Sequence, residues 1–258
     1  MCKFYFLNGL ALTNIVRKNI GYLYAIHHGA RMVYDFDMEN LVVTNLPKII
    51  TDFVEVIYPT GDVWNPYKDL ANLTNTWPRG FPPDQANKEQ RVLAEKREEI
   101  RMSSVGVIQS LIAGAPDIAE FSQRPHFGRY FPDLKTPRIL AVGLKTLVPL
   151  NARSTLFKED VFWGLFLPVG LGVGLSDIWR GYVMQKIMWK VGSNVAYSTP
   201  WVSDDKTRHD DVSGADVVNE KVEMLVRRII DMELICDDIP ACINGLEKIL
   251  VILNRTYY

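Results

Sequence analysis

The chain has 258 residues, 48% hydrophobic and 23% charged, enough to bury a sizeable core in one large α/β domain or two small ones. A formal net charge of -1 without any basic run speaks against nucleic acid or an anionic membrane as partner. Cys2, Cys236 and Cys242 make neither a disulfide framework nor a zinc spacing, so they leave the compartment open.

The start, MCKFYFLNGLALTN, is too short to span a bilayer and lacks a small-residue cleavage site. From Thr13 to His28 the spacing of Val16, Ile20, Leu23 and Tyr24 predicts a helix with one buried face, capped by Thr13 or Asn14 and closed by Gly29. Arg31 to Tyr34 reads as a buried strand, and two carboxylates, Asp35 and Asp37, stand at its end. Helix, glycine stop, strand and Asp-x-Asp edge make half of a nucleotide-binding unit, since ligands of open α/β sheets sit where strands end. Leu41 to Tyr58 gives a turn and a strand. Pro59 to Pro83 is a long loop that Trp64, Tyr67 and Trp77 keep ordered.

Gln85 to Met102 is charged all round and predicts a solvated surface helix. Val105 to Ile112 is a strand ended by a turn at Gly114–Asp117, and Ser122 to Pro137 is turn-rich. Two more short strands are expected at Ile139–Val142 and Leu147–Leu150. Lys158 to Asp160 opens a helical segment. The most apolar run, Phe162 to Leu175, has 14 residues, with Pro168 and four glycines, which suits a core turn and not a transmembrane helix. Ser176 then caps a helix over Asp177–Val191, stopped by Gly192. Val195–Tyr197 is the last strand, 198–214 a polar loop, and helix follows from Ala215 to about Leu253 with a break near Asp237–Pro240. With no internal repeat and no clear linker, residues 1–258 read as one domain, soluble as written.

Five strings occur in order: RKNIGYLYAIHHGA at Arg17–Ala30, WPRGFP at Trp77–Pro82, VPLNARSTLF at Val148–Phe157, FWGLFLPV at Phe162–Val169 and SDIWRGYVMQKIMW at Ser176–Trp189. Together they resemble the STELLO family of glycosyltransferase-like proteins, more distantly similar to the reversibly glycosylated polypeptides, which are nucleotide-sugar mutases. The resemblance runs from about Arg17 to Ile230. It implies a glycosyltransferase-A-like α/β fold, a mixed sheet flanked by helices, and in the family a Golgi membrane anchor ahead of the domain. Only 34 residues precede Asp35, so the N-terminal nucleotide-binding half is expected to be incomplete, in a truncated or shortened family member.

The resemblance matches Asp35 and Asp37 to the family's acidic cluster. Carboxylates at i and i+2 can hold Mn2+ or Mg2+ against a nucleoside diphosphate, although Asp-x-Asp is also simply a turn sequence. Arg79 matches an arginine loop and suits bidentate contact with diphosphate, or else it stacks on Trp77 at the surface. Asp177 and Arg180 sit in the first turn of their helix. Asp177 there orients or deprotonates an acceptor hydroxyl, or serves the helix dipole alone. Asn151 bonds sugar hydroxyls or stabilises a turn. Related enzymes place a histidine shortly after the last strand. Val202 falls there, and His209 is out of register.

The expected function is therefore transfer of a sugar from a nucleotide-sugar donor to an unknown acceptor with a divalent metal. Asp177 and Arg79 are the catalytic candidates, Trp77, Asn151 and Arg180 the substrate-binding ones, and Asp35 and Asp37 the metal ligands. The alternatives are a mutase in which Arg79 carries the sugar, and a non-catalytic member acting through protein partners.

Overall fold

Helical periodicity accounts for the two longest helices, and apolar runs for the central strands. The computed structural model describes residues 14–37, 40–43, 52–86, 88, 98–114, 117–122, 138–171 and 174–204. In chain order, α1 is Asn14–His27, β1 Met32–Phe36, β2 Leu41–Val42, β3 Phe53–Ile57, α2 Pro66–Ala71 and α3 Pro83–Ala86. There follow β4 at Glu98–Arg101, β5 at Val105–Gly114, β6 at Ile139–Val142, β7 at Ser154–Lys158, α4 at Ser176–Lys190 and β8 at Asn194–Asp204. The strands join one mixed sheet in the order β1-β7-β5-β8-β6-β3-β4, with β2 paired to the C-terminal end of β8. β5 runs parallel to β8 and β3 to β6, while the remaining pairs are antiparallel. A mixed sheet with flanking helices is consistent with the glycosyltransferase-A-like architecture that the resemblance implies.

Alternation along the strands builds a core on each face of the sheet. Val107, Leu111, Leu140, Phe157, Val195 and Tyr197 meet Ile15 and Tyr22 of α1, Tyr67 and Leu70 of α2, and Met184 and Met188 of α4. Val54, Val56, Ile108, Leu156, Ala196 and Trp201 point the other way. β5 and β8 are buried nearly throughout, as central strands covered on both faces must be.

Several expectations change. The surface helix expected over Gln85–Met102 is corrected at its C-terminal end, where Glu98–Arg101 is the strand β4, paired antiparallel with β3; α3 spans Pro83–Ala86, and residues 87 and 89–97 lie outside the described residues. Leu147–Leu150 is no strand, only an isolated bridge from Leu147 to Val63. Its backbone is satisfied by a side chain, because Val148 N–H donates to Gln185 Oε1 and Gln185 Nε2 donates to the Val148 carbonyl. The final strand extends well past Tyr197, to Asp204. Pro200 is tolerated there because β6 has stopped pairing at Ser198 and β2 begins only at Val202. Ser176 is the first helical residue of α4 and not its cap, and its hydroxyl donates to the Pro168 carbonyl. The helices expected over 215–253 lie outside the described residues.

Candidate functional site

The site is assembled by strand pairing at one end of the sheet. β1 and β7 are antiparallel in a register that sets Phe36 opposite Ser154, so Asp37 and Arg153 continue side by side beyond the pair. The segment 151–153 is held by Gln109 of β5. Its Oε1 accepts from Asn151 N–H and the Thr155 hydroxyl, and its Nε2 donates to Asn151 Oδ1 and the Ser154 carbonyl. Across the gap, the stretch Trp77–Arg79 lies along Asp117–Ala119. Arg79 N–H donates to the Asp117 carbonyl at 3.1 Å and Ala119 N–H to that of Trp77 at 2.8 Å. Gly80, at φ +86°, then turns the chain so tightly over Ile178 that a Cβ would lie 2.7 Å from its Cδ1. That contact fixes Arg79 over the start of α4.

A cavity of about 300 Å³ opens between these segments, at the lower end of the range for small-molecule sites. Its wall carries three cations, Lys18, Arg79 and Arg153, and three carboxylates, Asp37, Asp117 and Asp177. The charges alternate in a bonded chain. Arg79 gives Nε to Asp117 at 3.0 Å and Nη2 to Asp177 at 2.6 Å. Arg153 gives Nε to Asp37 at 2.9 Å, Nη1 to Asp117 at 3.4 Å and Nη2 to Asp204 at 3.1 Å. Lys18 closes the chain on Asp35 at 2.8 Å and Asp37 at 3.2 Å.

Burial alone would raise the Asp177 carboxyl, but the adjoining Arg79 guanidinium and the Ala152 N–H outweigh it and hold the group below the usual carboxylate range. Burial likewise disfavours the charged forms of Arg79 and Arg153, and the flanking aspartates more than restore them. Arg79, Arg153 and Asp177 are thus held in their charged forms by their neighbours, and Lys18, Asp37 and Asp117 each bond a group of opposite charge.

Of the residues singled out from sequence, Asp37, Arg79 and Asp177 reach this one cavity from three distant segments. Asp35 is the fourth of five residues in β1, not its terminus, and stands just behind the wall with its side chain 4% exposed. Asn151 is buried and bonds Asp117 Oδ2 at 2.7 Å, which makes it a support for that carboxylate. Arg180 is buried too. It donates to the Leu165 carbonyl at 2.9 Å and lies over the Phe157 ring at 4.9 Å. Trp77 packs against Phe121 and the cluster around Phe81 and Ile178. Val202 is a fully buried strand residue paired with Val42.

The aspartate pair, as it is held, does not fit a divalent ion. Lys18 donates to one oxygen of each carboxylate, Tyr22 donates to the second oxygen of Asp35, and Arg153 to the second of Asp37. Burial, more than any neighbouring charge, pushes the Tyr22 phenol far up, so it stays a donor. Among the described residues no three His, Cys, Asp or Glu side chains gather as they would around a metal.

Sequence reasoning passed over four members of the charge chain. Lys18 and Arg153 lie inside the quoted strings RKNIGYLYAIHHGA and VPLNARSTLF, Asp117 reads as a turn residue, and Asp204 as part of a polar loop. The available signal was an unexplained charge within otherwise apolar strings.

No family model matches the chain. It is 28% identical over 235 residues to the Probable glycosyltransferase STELLO1 of Arabidopsis thaliana, and 29% identical over 236 residues to the Probable glycosyltransferase STELLO2 of the same species. Each alignment covers 83% of this chain but only 29% and 30% of those proteins, so the chain spans less than a third of the length of the relatives it matches. Over most of its length the chain is therefore similar to a part of two probable glycosyltransferases of the STELLO type.

Proposed function

We propose that the chain handles the sugar in a glycosyltransferase-like reaction that draws on a nucleotide-sugar donor. The observation that carries this reading is the meeting of Asp37, Arg79 and Asp177 with Asp117 and Arg153 around one small cavity. Alternating carboxylate and guanidinium groups suit vicinal hydroxyls, because the carboxylates accept from a hydroxyl proton and the guanidinium N–H groups donate to the next oxygen. Arg153 spends three of its five N–H donors on Asp37, Asp117 and Asp204, which leaves donors for a ligand. With equal numbers of positive and negative groups, the wall has no surplus charge for a diphosphate. It suits the neutral sugar ring. Asp177, held ionised, orients an acceptor hydroxyl; its low proton affinity makes it a weak base. A Golgi setting belongs to the same proposal and rests on kinship alone.

Saturation-transfer NMR with UDP-glucose, UDP and glucose as probes tests this reading. Hexose protons should receive saturation, and Asp177→Asn or Arg153→Ala should abolish it. Silence from all three at millimolar concentration would sink the sugar reading. The second reading, a non-catalytic member acting through protein contacts, would then stand, and it has the saturated charge chain in its favour. A sugar carried on Arg79 is disfavoured by the two carboxylates that reinforce its protonation and leave no nitrogen lone pair to attack.

A further inference from the structure

Three oxygens converge on Lys18 Nζ: Asp35 Oδ1 at 2.8 Å, Asp37 Oδ1 at 3.2 Å and the carbonyl of Ala152. Two carboxylates and a backbone carbonyl are a ligand set suited to a hard divalent ion. Here a side chain of the protein already fills it. We infer that Lys18 is the resident cation of this three-oxygen cage, standing where a divalent ion would have to bridge Asp35 and Asp37, so that the wild-type chain keeps that position closed to metal.

The helix that carries Lys18 is tied down at two points just after it. The next residue, Asn19, exchanges two hydrogen bonds with the Leu167 backbone, each 2.8 Å. One turn further, at the i+4 position, Tyr22 donates to the other oxygen of Asp35. Lys18 and Tyr22 therefore grip Asp35 together from one face of α1. A divalent ion at bonding distance from the three oxygens would lie almost on Nζ, and repulsion between like charges so close forbids sharing. Releasing Lys18 instead would leave Asp35, which is buried, without its counter-charge. The bonded chain holds five carboxylates, Asp35, Asp37, Asp117, Asp177 and Asp204, against Lys18, Arg79 and Arg153, so removal of Lys18 deepens a negative excess at this spot. The empty cage should then attract the ion that the lysine displaced.

The inference stands whether or not the cavity handles sugar, because its readout is metal uptake. Mn2+ is added to the full chain at neutral pH and the free ion is followed by electron paramagnetic resonance. Wild type should leave Mn2+ free, whereas Lys18→Ala should take up one equivalent at least about tenfold more tightly, with three oxygens supplied by the cage. Lys18→Ala/Asp37→Asn should lose it again. If Lys18→Ala lacks the native circular dichroism spectrum, Lys18→Gln replaces it with the same expectation. Two results overturn the inference: stoichiometric Mn2+ uptake by wild type that Asp37→Asn abolishes, or a folded Lys18 variant that leaves Mn2+ free.

Discussion

Arg79→Ala is the most informative perturbation of the site. The guanidinium lies between Asp117 and Asp177, with Nε 3.0 Å from the first and Nη2 2.6 Å from the second, and its side chain is 24% exposed. Its removal leaves two nearly buried carboxylates in one cavity wall without their shared cation. Stranding one partner of a buried ion pair costs about 3–5 kcal/mol. Some of that is recovered here, because Asp117 keeps Arg153 and Asn151, and Asp177 keeps the Ala152 N–H. The lower end, about 3 kcal/mol, is therefore expected. With a urea m-value of about 3 kcal/mol per M, the unfolding midpoint should fall by about 1 M. Arg79→Lys, which keeps the charge but cannot fork between two acids, should fall between wild type and Arg79→Ala. Adding Asp177→Asn to Arg79→Ala should recover about 1 kcal/mol, the coupling expected for groups in direct contact. As a control, Arg31→Ala breaks the exposed pair with Glu159 and should not move the midpoint measurably. An Arg79→Ala midpoint equal to that of wild type, or strict additivity with Asp177→Asn, would refute the picture of a shared buried cation.

Acid should act through the same pair. The Asp177 pKa is lower in the folded state than in the unfolded chain, so its contribution is complete above about pH 4 and is lost as the pH falls below that. Between pH 6 and pH 3, wild type should thus lose more urea stability than Asp177→Asn, and equal losses would discount the ion pair. Two helical glycines should respond in opposite directions to alanine. At Gly181 a Cβ would lie 2.6 Å from Leu150 Cβ and 2.9 Å from its carbonyl oxygen, so overpacking of about 1–3 kcal/mol should exceed the gain in helix propensity and lower the thermal midpoint. At Gly21 nothing lies within 4 Å, and alanine should stabilise α1 by up to about 1 kcal/mol. If both substitutions shift the midpoint the same way, the Leu150 contact is not what keeps Gly181 a glycine.

Residues 14–27 and 176–190 declare themselves as helices by local spacing and by the glycine that follows each, but the face that α1 buries is Ile15, Val16, Asn19 and Tyr22, while Leu23 and Tyr24, expected on it, are exposed. β5 was legible for a similar reason: nine of its ten residues are buried, which leaves little room for polar side chains. β4 was not. Its sequence, Glu-Glu-Ile-Arg, has good helix formers, and only its pairing with β3 at the sheet edge makes it a strand. Val148 misled in the opposite direction, since its apolar neighbours read as a strand while the Gln185 side chain takes the place of a strand partner. In the site, Asp37, Arg79 and Asp177 were visible as charges inside aromatic or glycine-rich strings. Their partners were not, because Lys18 finds Ala152 across 134 positions and Arg153 finds Asp37 across 116, and no spacing rule spans such distances.

The alternation of charge around the cavity also constrains how this wall can drift in evolution. Arg153 answers to three aspartates at once, and Asp117 to both arginines, so no position in the chain can change sign alone without stranding a buried neighbour. Substitutions here should arrive as matched exchanges. In related chains, a neutral residue at the position of Arg79 should travel with neutral residues at those of Asp117 and Asp177, and a lost Lys18 with a changed Asp35 or Asp37. The cavity is inherited as a set of paired charges, and each pair is the smallest unit that selection can revise.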